Sequence, residues 1–367
     1  MTLELPTLLK ATLDAGASDL HLSTGQPPLI RLRGKMVRSQ AAALNEDEAR
    51  AIIYSVMSED LRKAHERGAE VDFAFELPGI SRFRANVFRQ RLGVSAVYRV
   101  IASTVPSLEQ LGTPPVLREL AMKERGLVLV TGPTGSGKST TLAAMIDHIN
   151  RHKQAHIITI EDPIEFVHES KMSLVHQREV GMHTDSFSAA LRGALREDPD
   201  ILLVGELRDL ETTALAITAA ETGHLVFGTL HTNSAAKTID RLVDIFPGDR
   251  QSQIRTMLSE SLEGVIAQTL LPSADGKGRV AALEILIGVP ALRNLVREAK
   301  TTQIPSVIQV GSQHGMQTPD QAIMELFAAG KITKEEAQAR TTNPRLVETP
   351  TAGPGGARPT GRLVVRP

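Results

Sequence analysis

No cysteine occurs among the 367 residues, so disulfides, thiolate metal sites and cysteine nucleophiles are excluded. Tryptophan is absent as well, and aromatic residues make up only 3% of the chain. That leaves little material for the stacking platforms that hold single-stranded nucleic acid. No apolar run approaches the ~20 residues that cross a bilayer. Met1–Lys10 has neither the basic start nor the long apolar stretch of a secretion signal. A charge excess is missing too: 41 Lys and Arg stand against 42 Asp and Glu, a net charge of −1. This excludes a basic protein that coats nucleic acid and an acidic disordered chain. What remains is ordinary globular material, 41% hydrophobic and 23% charged. The length suggests two domains at about 150 residues each. A soluble cytoplasmic protein is the expectation.

The first hundred residues read as a small α+β domain. Leu3, Leu8, Leu9 and Leu13 recur at helical spacing until Gly16 stops the pattern. Leu20–Leu22 and Leu29–Leu32 read as short strands, and Glu46–Met57 as an amphipathic helix. Val71–Glu76, Arg82–Phe88 and Val94–Val100 alternate as three antiparallel strands would. Ile101–Pro115, with three prolines and a glycine, reads as a linker. From Val116 onward, continuous apolar runs alternate with helical segments: Leu127–Thr131, Ile157–Ile160, Ile201–Val204 and Leu225–Gly228. Such runs indicate a parallel sheet buried on both faces. Asp185–Arg196 predicts a helix capped by Asp185, and Asp209–Glu221 another, closed by Gly223. The expected organisation is 1–100, a linker 101–115, an α/β domain 116–343 and a tail 344–367. That tail holds nine Pro or Gly in 24 residues and too few large apolar groups to offset the entropy of ordering.

Gly132-Pro133-Thr134-Gly135-Ser136-Gly137-Lys138-Ser139 fits G-x-x-x-x-G-K-[ST] at every fixed position. It follows an apolar run and precedes the helical stretch Thr140–Ile149, the strand–loop–helix context that the chemistry needs. Glycines let backbone N–H groups wrap phosphates, and the helix N-terminus adds its positive end. Lys138 is expected on the β- and γ-phosphates and the Ser139 hydroxyl on Mg²⁺, with Thr140 next to them. The chain is therefore expected to bind a nucleoside triphosphate.

Ligands of open α/β sheets bind beyond the carboxyl ends of the strands. There the sequence offers Glu161 and Asp162, then Gly205-Glu206, then His231, with His224 just ahead of its strand. Hydrolysis needs a carboxylate to orient water and oxygen ligands for Mg²⁺. Glu206 is the first choice for the water, with Glu161 and Asp162 in support. Glu206 or Asp162 could hold the metal through water. His231 and His224 are candidate contacts to phosphate. The remaining histidines have no such setting and read as surface or structural groups.

GPTGSGKST (132–140), ITIEDPIEFVHES (158–170), LREDPDILLVGELRDLET (195–212) and TAAETGHLVFGTLHTNSAAKTIDR (218–241) resemble the four signature regions of the secretion/type IV pilus ATPase superfamily. These regions are its Walker A, Asp-box, Walker B and His-box motifs. One departure is that the Walker B strand closes on Gly205-Glu206 where an aspartate is usual. GASDLHLS (16–23) and the absence of the four-cysteine metal motif of extension ATPases favour the pilus-retraction branch. So does ALRNLVRE (291–298), which is similar to that branch's AIRNLIRE motif. Read as a helix, it puts Leu292, Leu295, Val296 and Ala299 on one stripe and turns Arg293, Asn294, Arg297 and Glu298 elsewhere.

The resemblance implies a RecA-like P-loop ATPase domain preceded by a smaller α+β, PAS-like domain. It further implies a homohexameric ring that uses ATP and Mg²⁺, in which Arg84 and Arg99 act on the neighbouring subunit's nucleotide. The ring would retract a type IV pilus and drive twitching motility. Its partners would be the inner-membrane platform protein, at whose cytoplasmic face it would sit without inserting, and an accessory retraction ATPase. The alternatives are an accessory retraction paralogue, a secretion or pilus-extension ATPase, or a nucleotide-binding scaffold without turnover. A nucleic-acid partner is not expected, because the charge balance is flat.

Overall fold

The computed structural model describes residues 3–32, 34–101 and 104–347. Helix α1 (Leu5–Asp14) starts with a proline in its first turn and buries Leu5 and Leu9. Strands β1 (Asp19–Ser23), β2 (Leu29–Leu32) and β3 (Lys35–Arg38) follow. Helix α2 (Glu46–Tyr54) opens on a capping box between Asn45 and Glu48, and α3 (Glu59–Glu66) on the hydroxyl of Ser58. Then β4 (Val71–Leu77), β5 (Ser81–Gln90) and β6 (Gly93–Ile101) pair antiparallel, as their alternation predicts.

The six strands lie in the order β3-β2-β1-β6-β5-β4. One face carries Phe83, Ala85, Val87, Ala96 and Tyr98, which pack with Leu5, Leu9, Ile52 and Ile53 from α1 and α2. Because side chains alternate, Arg84 and Arg99 belong to the opposite face.

Farther along come α4 (Val116–Ala121), β7 (Gly126–Thr131), α5 (Lys138–His152), β8 (His156–Glu161), β9 (Leu174–Glu179), α6 (Phe187–Ala194) and β10 (Ile201–Val204). Next are α7 (Leu210–Glu221), β11 (Leu225–Leu230), α8 (Ala235–Asp244), α9 (Gly248–Ser261) and the hairpin of β12 (Leu262–Pro272) and β13 (Arg279–Ile287). The chain continues through α10 (Pro290–Arg297), α11 (Ile304–Val310), α12 (Pro319–Ala328) and α13 (Lys334–Arg340).

Strands β12, β7, β11 and β10 run parallel, and β13 pairs antiparallel with β12. Every residue of β7, β10 and β11 is buried, which is why these strands read as unbroken apolar runs. This is the α/β, RecA-like arrangement. No helix among the described residues is long and apolar enough to cross a membrane.

The contacts divide the chain into two compact units: residues up to Pro106 with Asn150–Pro199, and Ser107–Ile149 with residues from Asp200 onward. Asn150–Pro199 thus groups with the N-terminal residues, although its sequence style belongs to the later α/β part. One physical reason is a nearly buried ion pair from β5 to β9, Arg82 Nη2 to Glu179 Oε2 at 3.1 Å. The same carboxylate oxygen accepts the Ile164 N–H at 3.1 Å.

Two local expectations change. The cap of α6 is Ser186, whose hydroxyl accepts from the Ala189 N–H at 3.1 Å, and not Asp185. Arg293 leaves the apolar stripe of α10, as expected, for a defined set of partners. It reaches the end of α9 and the start of β12, bonding the Ser259 carbonyl at 3.0 Å, the Glu260 carbonyl and the Glu263 carboxylate at 3.0 Å.

The first residues of the expected tail are packed. Pro344–Val347 form a single 3-10 turn, and Val347 is buried with Leu271, Ile323 and Ala337. The rest of the expected tail, 348–367, lies outside the described residues. A chain ending at Val347 is expected to keep the full-length melting temperature. One ending at Asn343 should lose about 1.5 kcal/mol, the contribution of burying one valine. Thermal unfolding of both checks this, and equal stabilities would contradict it.

Candidate functional site

The second unit brings three strand ends to one edge of its sheet. β7, β11 and β10 are neighbours, paired in register from Gly126↔Leu225 and Ile201↔Leu225. Their carboxyl ends carry the 132–139 loop, His231 and Glu206 respectively.

The loop has no room for side chains at its two key glycines. A Cβ on Gly132 would lie 2.3 Å from the Gln268 carbonyl oxygen, and one on Gly137 would lie 2.8 Å from the Gln268 amide nitrogen. Their φ values, +144° and +86°, are ones that L-residues rarely adopt. The Lys138 ammonium donates to the carbonyls of Gly132 at 2.9 Å and Pro133 at 3.2 Å, so it lies along the loop. The Ser136 hydroxyl is buried without a hydrogen-bond partner. Among the described residues no hydrogen bond engages the Ser139 hydroxyl, a hard oxygen of the kind Mg²⁺ prefers. A glycine-rich loop at a helix start, a lysine and a buried hydroxyl without a partner fit a polyphosphate chain with its magnesium. Beside the loop a cavity of about 800 Å³ opens between Thr140, Thr141, Leu270, Lys277 and Arg279. That is ample for a nucleoside.

Among the described residues two side chains grip one oxygen of Glu206. Arg208 Nε lies 2.5 Å and His231 Nε2 2.9 Å from its Oε1. Burial alone pushes this carboxyl up, but the Arg208 hydrogen bond and the His231 charge more than offset it and hold the group below the ordinary range. Glu206 is therefore ionised at neutral pH. The backbone of its loop is fixed from β11: Leu207 N–H donates to the Thr229 carbonyl at 3.0 Å, and Thr229 Oγ1 donates to the Gly205 carbonyl at 2.5 Å. The Leu207 side chain fills the space that a Cβ on Gly228 would need.

His224 stands elsewhere. It precedes β11, and its carbonyl accepts the N–H of Gly126, the first residue of β7. A six-residue strand is about 20 Å long, so His224 lies at the opposite edge of the sheet from the loop. Its Nδ1 sits 3.0 Å from the Ala219 carbonyl and closes α7. Within one chain it is a structural histidine.

The first unit holds the other candidates. Glu161 ends β8, with its carboxylate accepting from Thr159 Oγ1 at 2.6 Å and Gln177 Nε2 at 3.1 Å. Burial pushes its carboxyl above the ordinary range, and those two hydrogen bonds offset only part of the rise. Asp162, next in the chain and exposed, begins the loop after β8. Gln177 on β9 also donates to the Phe166 carbonyl at 2.8 Å and accepts from the His168 N–H at 2.7 Å, so one amide shapes this loop.

Arg84 and Arg99 face each other across β5 and β6 as register partners. Arg99 Nε is held 2.8 Å from the buried Asp19 carboxylate, and Arg84 Nε lies 3.5 Å from the exposed Asp72. Burial raises the Asp19 carboxyl, but Ser18 and Arg99 outweigh it and keep the group ionised.

Gln177 and Gln268 were not anticipated. Each is a lone amide in a strand, and only the fold reveals that its partners are loop backbone groups.

The family described as type II/IV secretion system protein matches residues 4–348. The type IV pilus retractation ATPase PilT of Pseudomonas aeruginosa is 56% identical over 342 residues, 93% of this chain and 99% of that protein. A twitching motility protein of Neisseria gonorrhoeae is 57% identical over 316 residues, 86% of this chain and 84% of that protein. A crystal structure described as the pilus retraction motor PilT with bound ADP superposes with a TM-score of 0.87 at 50% identity, covering 94% of this chain and 99% of that one. With a phosphate loop and a strand-end glutamate on a RecA-like sheet, the chain belongs to the type II/IV secretion system protein family.

Proposed function

We propose that the chain is an ATPase that assembles as a hexameric ring and powers type IV pilus retraction. The observation that carries the ATPase reading is the ionised Glu206, held by Arg208 and His231 on the same sheet edge as the phosphate loop. The end-to-end likeness to a pilus retractation ATPase supports the direction of work.

In this reading the loop N–H groups and Lys138 hold the β- and γ-phosphates. Ser139, with Glu206 or Asp162 through water, would hold Mg²⁺. When bound, that ion would supply neutralisation of the charge that develops on the phosphates. Glu206 presents Oε2 to the attacking water, and His231 fixes the other oxygen. Arg84 and Arg99 reach the nucleotide of a neighbouring subunit and offset charge on the γ-phosphate. The platform protein at the inner membrane is the proposed recipient of the motion, with the ring at its cytoplasmic face.

Glu161 serves water or metal only when ionised, so turnover should fall on the acid side as it takes up a proton. Its hydrogen bond from Gln177 favours the ionised form. Gln177→Met is therefore expected to raise the Glu161 pKa further and move the acid limb of the pH–rate profile to higher pH. An unmoved limb with reduced activity would leave Gln177 a purely structural role.

The test of function is a strain lacking the chain, complemented with the natural protein or with Lys138→Ala. Excess surface pili in the deletion and in the Lys138→Ala strain, corrected by the natural protein, are expected. Loss of pili in the deletion would instead assign an extension motor.

A further inference from the structure

Strand β12 contains a residue that its surroundings do not invite. Gln268 is buried on a strand whose neighbours Val265, Ile266 and Ala267 are buried and apolar. Burying an amide without partners costs about 1–3 kcal/mol, so its bonds deserve an account. Its Oε1 accepts from Thr141 Oγ1 at 2.7 Å, and its Nε2 donates to the Ser136 carbonyl at 2.7 Å. One end of the amide thus holds the first turn of α5, and the other holds the phosphate loop.

The second bond has a directional consequence. In a trans peptide the C=O and the following N–H point in opposite directions. Fixing the Ser136 carbonyl on Gln268 therefore aims the Gly137 N–H away from Gln268. The backbone of Gln268 closes the same face, since its carbonyl oxygen occupies the space beside Gly132. Only glutamine provides both bonds. A glutamate would set a carboxylate oxygen against the Ser136 carbonyl and bring a negative charge next to an anion site. A methionine would fill the volume but leave the Ser136 carbonyl and the Thr141 hydroxyl unpaired. An asparagine is one methylene short.

We propose that Gln268 is a positioning residue, the template that holds the phosphate loop in its phosphate-binding shape when no nucleotide is bound. The proposal rests on the nucleotide-binding reading of the loop. Its expected signature is in affinity. The loop of a Gln268 variant must be ordered by the nucleotide itself, and this weakens ADP and ATP alike. The contacts that hold Glu206, to Arg208 and His231, do not involve Gln268, so turnover at saturation is retained.

The experiment measures equilibrium binding of a fluorescent ADP, KM and kcat for ATP, and thermal unfolding. The proteins are the full-length chain and its Gln268→Met, Thr141→Val and Thr141→Ser variants. Gln268→Met is expected to raise Kd and KM about tenfold or more, with kcat within about threefold. Thr141→Val should raise both several-fold, and Thr141→Ser, which keeps the hydroxyl, should restore them. Unchanged Kd and KM in Gln268→Met, or a fall in kcat alone, would overturn the proposal. Should Gln268→Met not fold, the Thr141 pair decides: equal affinities for Val and Ser overturn it. Failure of the unaltered chain to bind ADP is a separate outcome, and it would remove the nucleotide reading itself.

Discussion

Replacing Glu206 by glutamine is expected to lower ATP turnover by about 10²–10⁴-fold, the range for loss of a positioned acid–base group, while nucleotide still binds. The side chains have the same shape, so the loop 205–209 keeps its backbone bonds to Thr229. What changes is charge. In the natural chain Oε1 lies 2.5 Å from Arg208 Nε and 2.9 Å from His231 Nε2, and a neutral amide can keep only weaker versions of these contacts. More important, the free oxygen can no longer attract a water proton. The phosphate loop is untouched by the change, so ADP affinity should stay within about threefold of the natural chain. Steady-state phosphate release and ADP binding check the two halves. A turnover loss smaller than tenfold would move the water-orienting role to Glu161.

The second large effect is at Arg84. Its loss should reduce turnover by about 10³–10⁵-fold, the range measured when an arginine on a transferred phosphoryl group is removed. The fold should not notice. Arg84 Nε is 3.5 Å from Asp72, and both side chains are about half exposed, a pair of the kind that contributes little. Across the strand it faces Arg99, and like charges in register repel.

Arg84→Ala is therefore expected to melt at the same temperature as the natural chain, or slightly above it. Arg99 is a less clean probe, because Asp19 is buried and depends on it. Mixing supplies the decisive control. Neither Arg84→Ala nor Lys138→Ala rings should hydrolyse ATP alone. In mixed rings an intact loop from one subunit meets an intact arginine from the next, and activity should return. Mixed rings without activity would exclude an arginine acting between subunits.

Much of this site is legible in the residues themselves. The phosphate loop declares its strand, turn and helix through local chemistry: buried β-branched residues, glycines, and a lysine at the helix start. Glu206 and His231 follow from the rule that parallel strands offer their carboxyl ends to ligands. His224, which precedes its strand, lies at the other edge of the sheet within one chain.

The pairings made at long sequence distance are hidden. Gln268 meets Ser136 and Thr141 from more than a hundred residues away, and nothing in GVIAQTLL marks that one amide as the loop's support. Arg293 sits on the polar side of a helical wheel, but the exposed-looking position lies against the end of α9. Composition does not show that Val347 packs among Leu271, Ile323 and Ala337, because a single valine in a Pro- and Gly-rich stretch carries no pattern. The antiparallel run of β4 to β6 was readable because its partners are adjacent in the chain. β9 was not, since it pairs in parallel with β8 after a loop that carries the acidic residues.

If hydrolysis at Glu206 drives retraction, fluorescently labelled pili on living cells whose only copy of the chain carries Glu206→Gln should extend to full length and not shorten. Cells carrying the natural chain should retract them normally. Retraction at the natural rate by the Glu206→Gln cells would show that Glu206 does not power the motion.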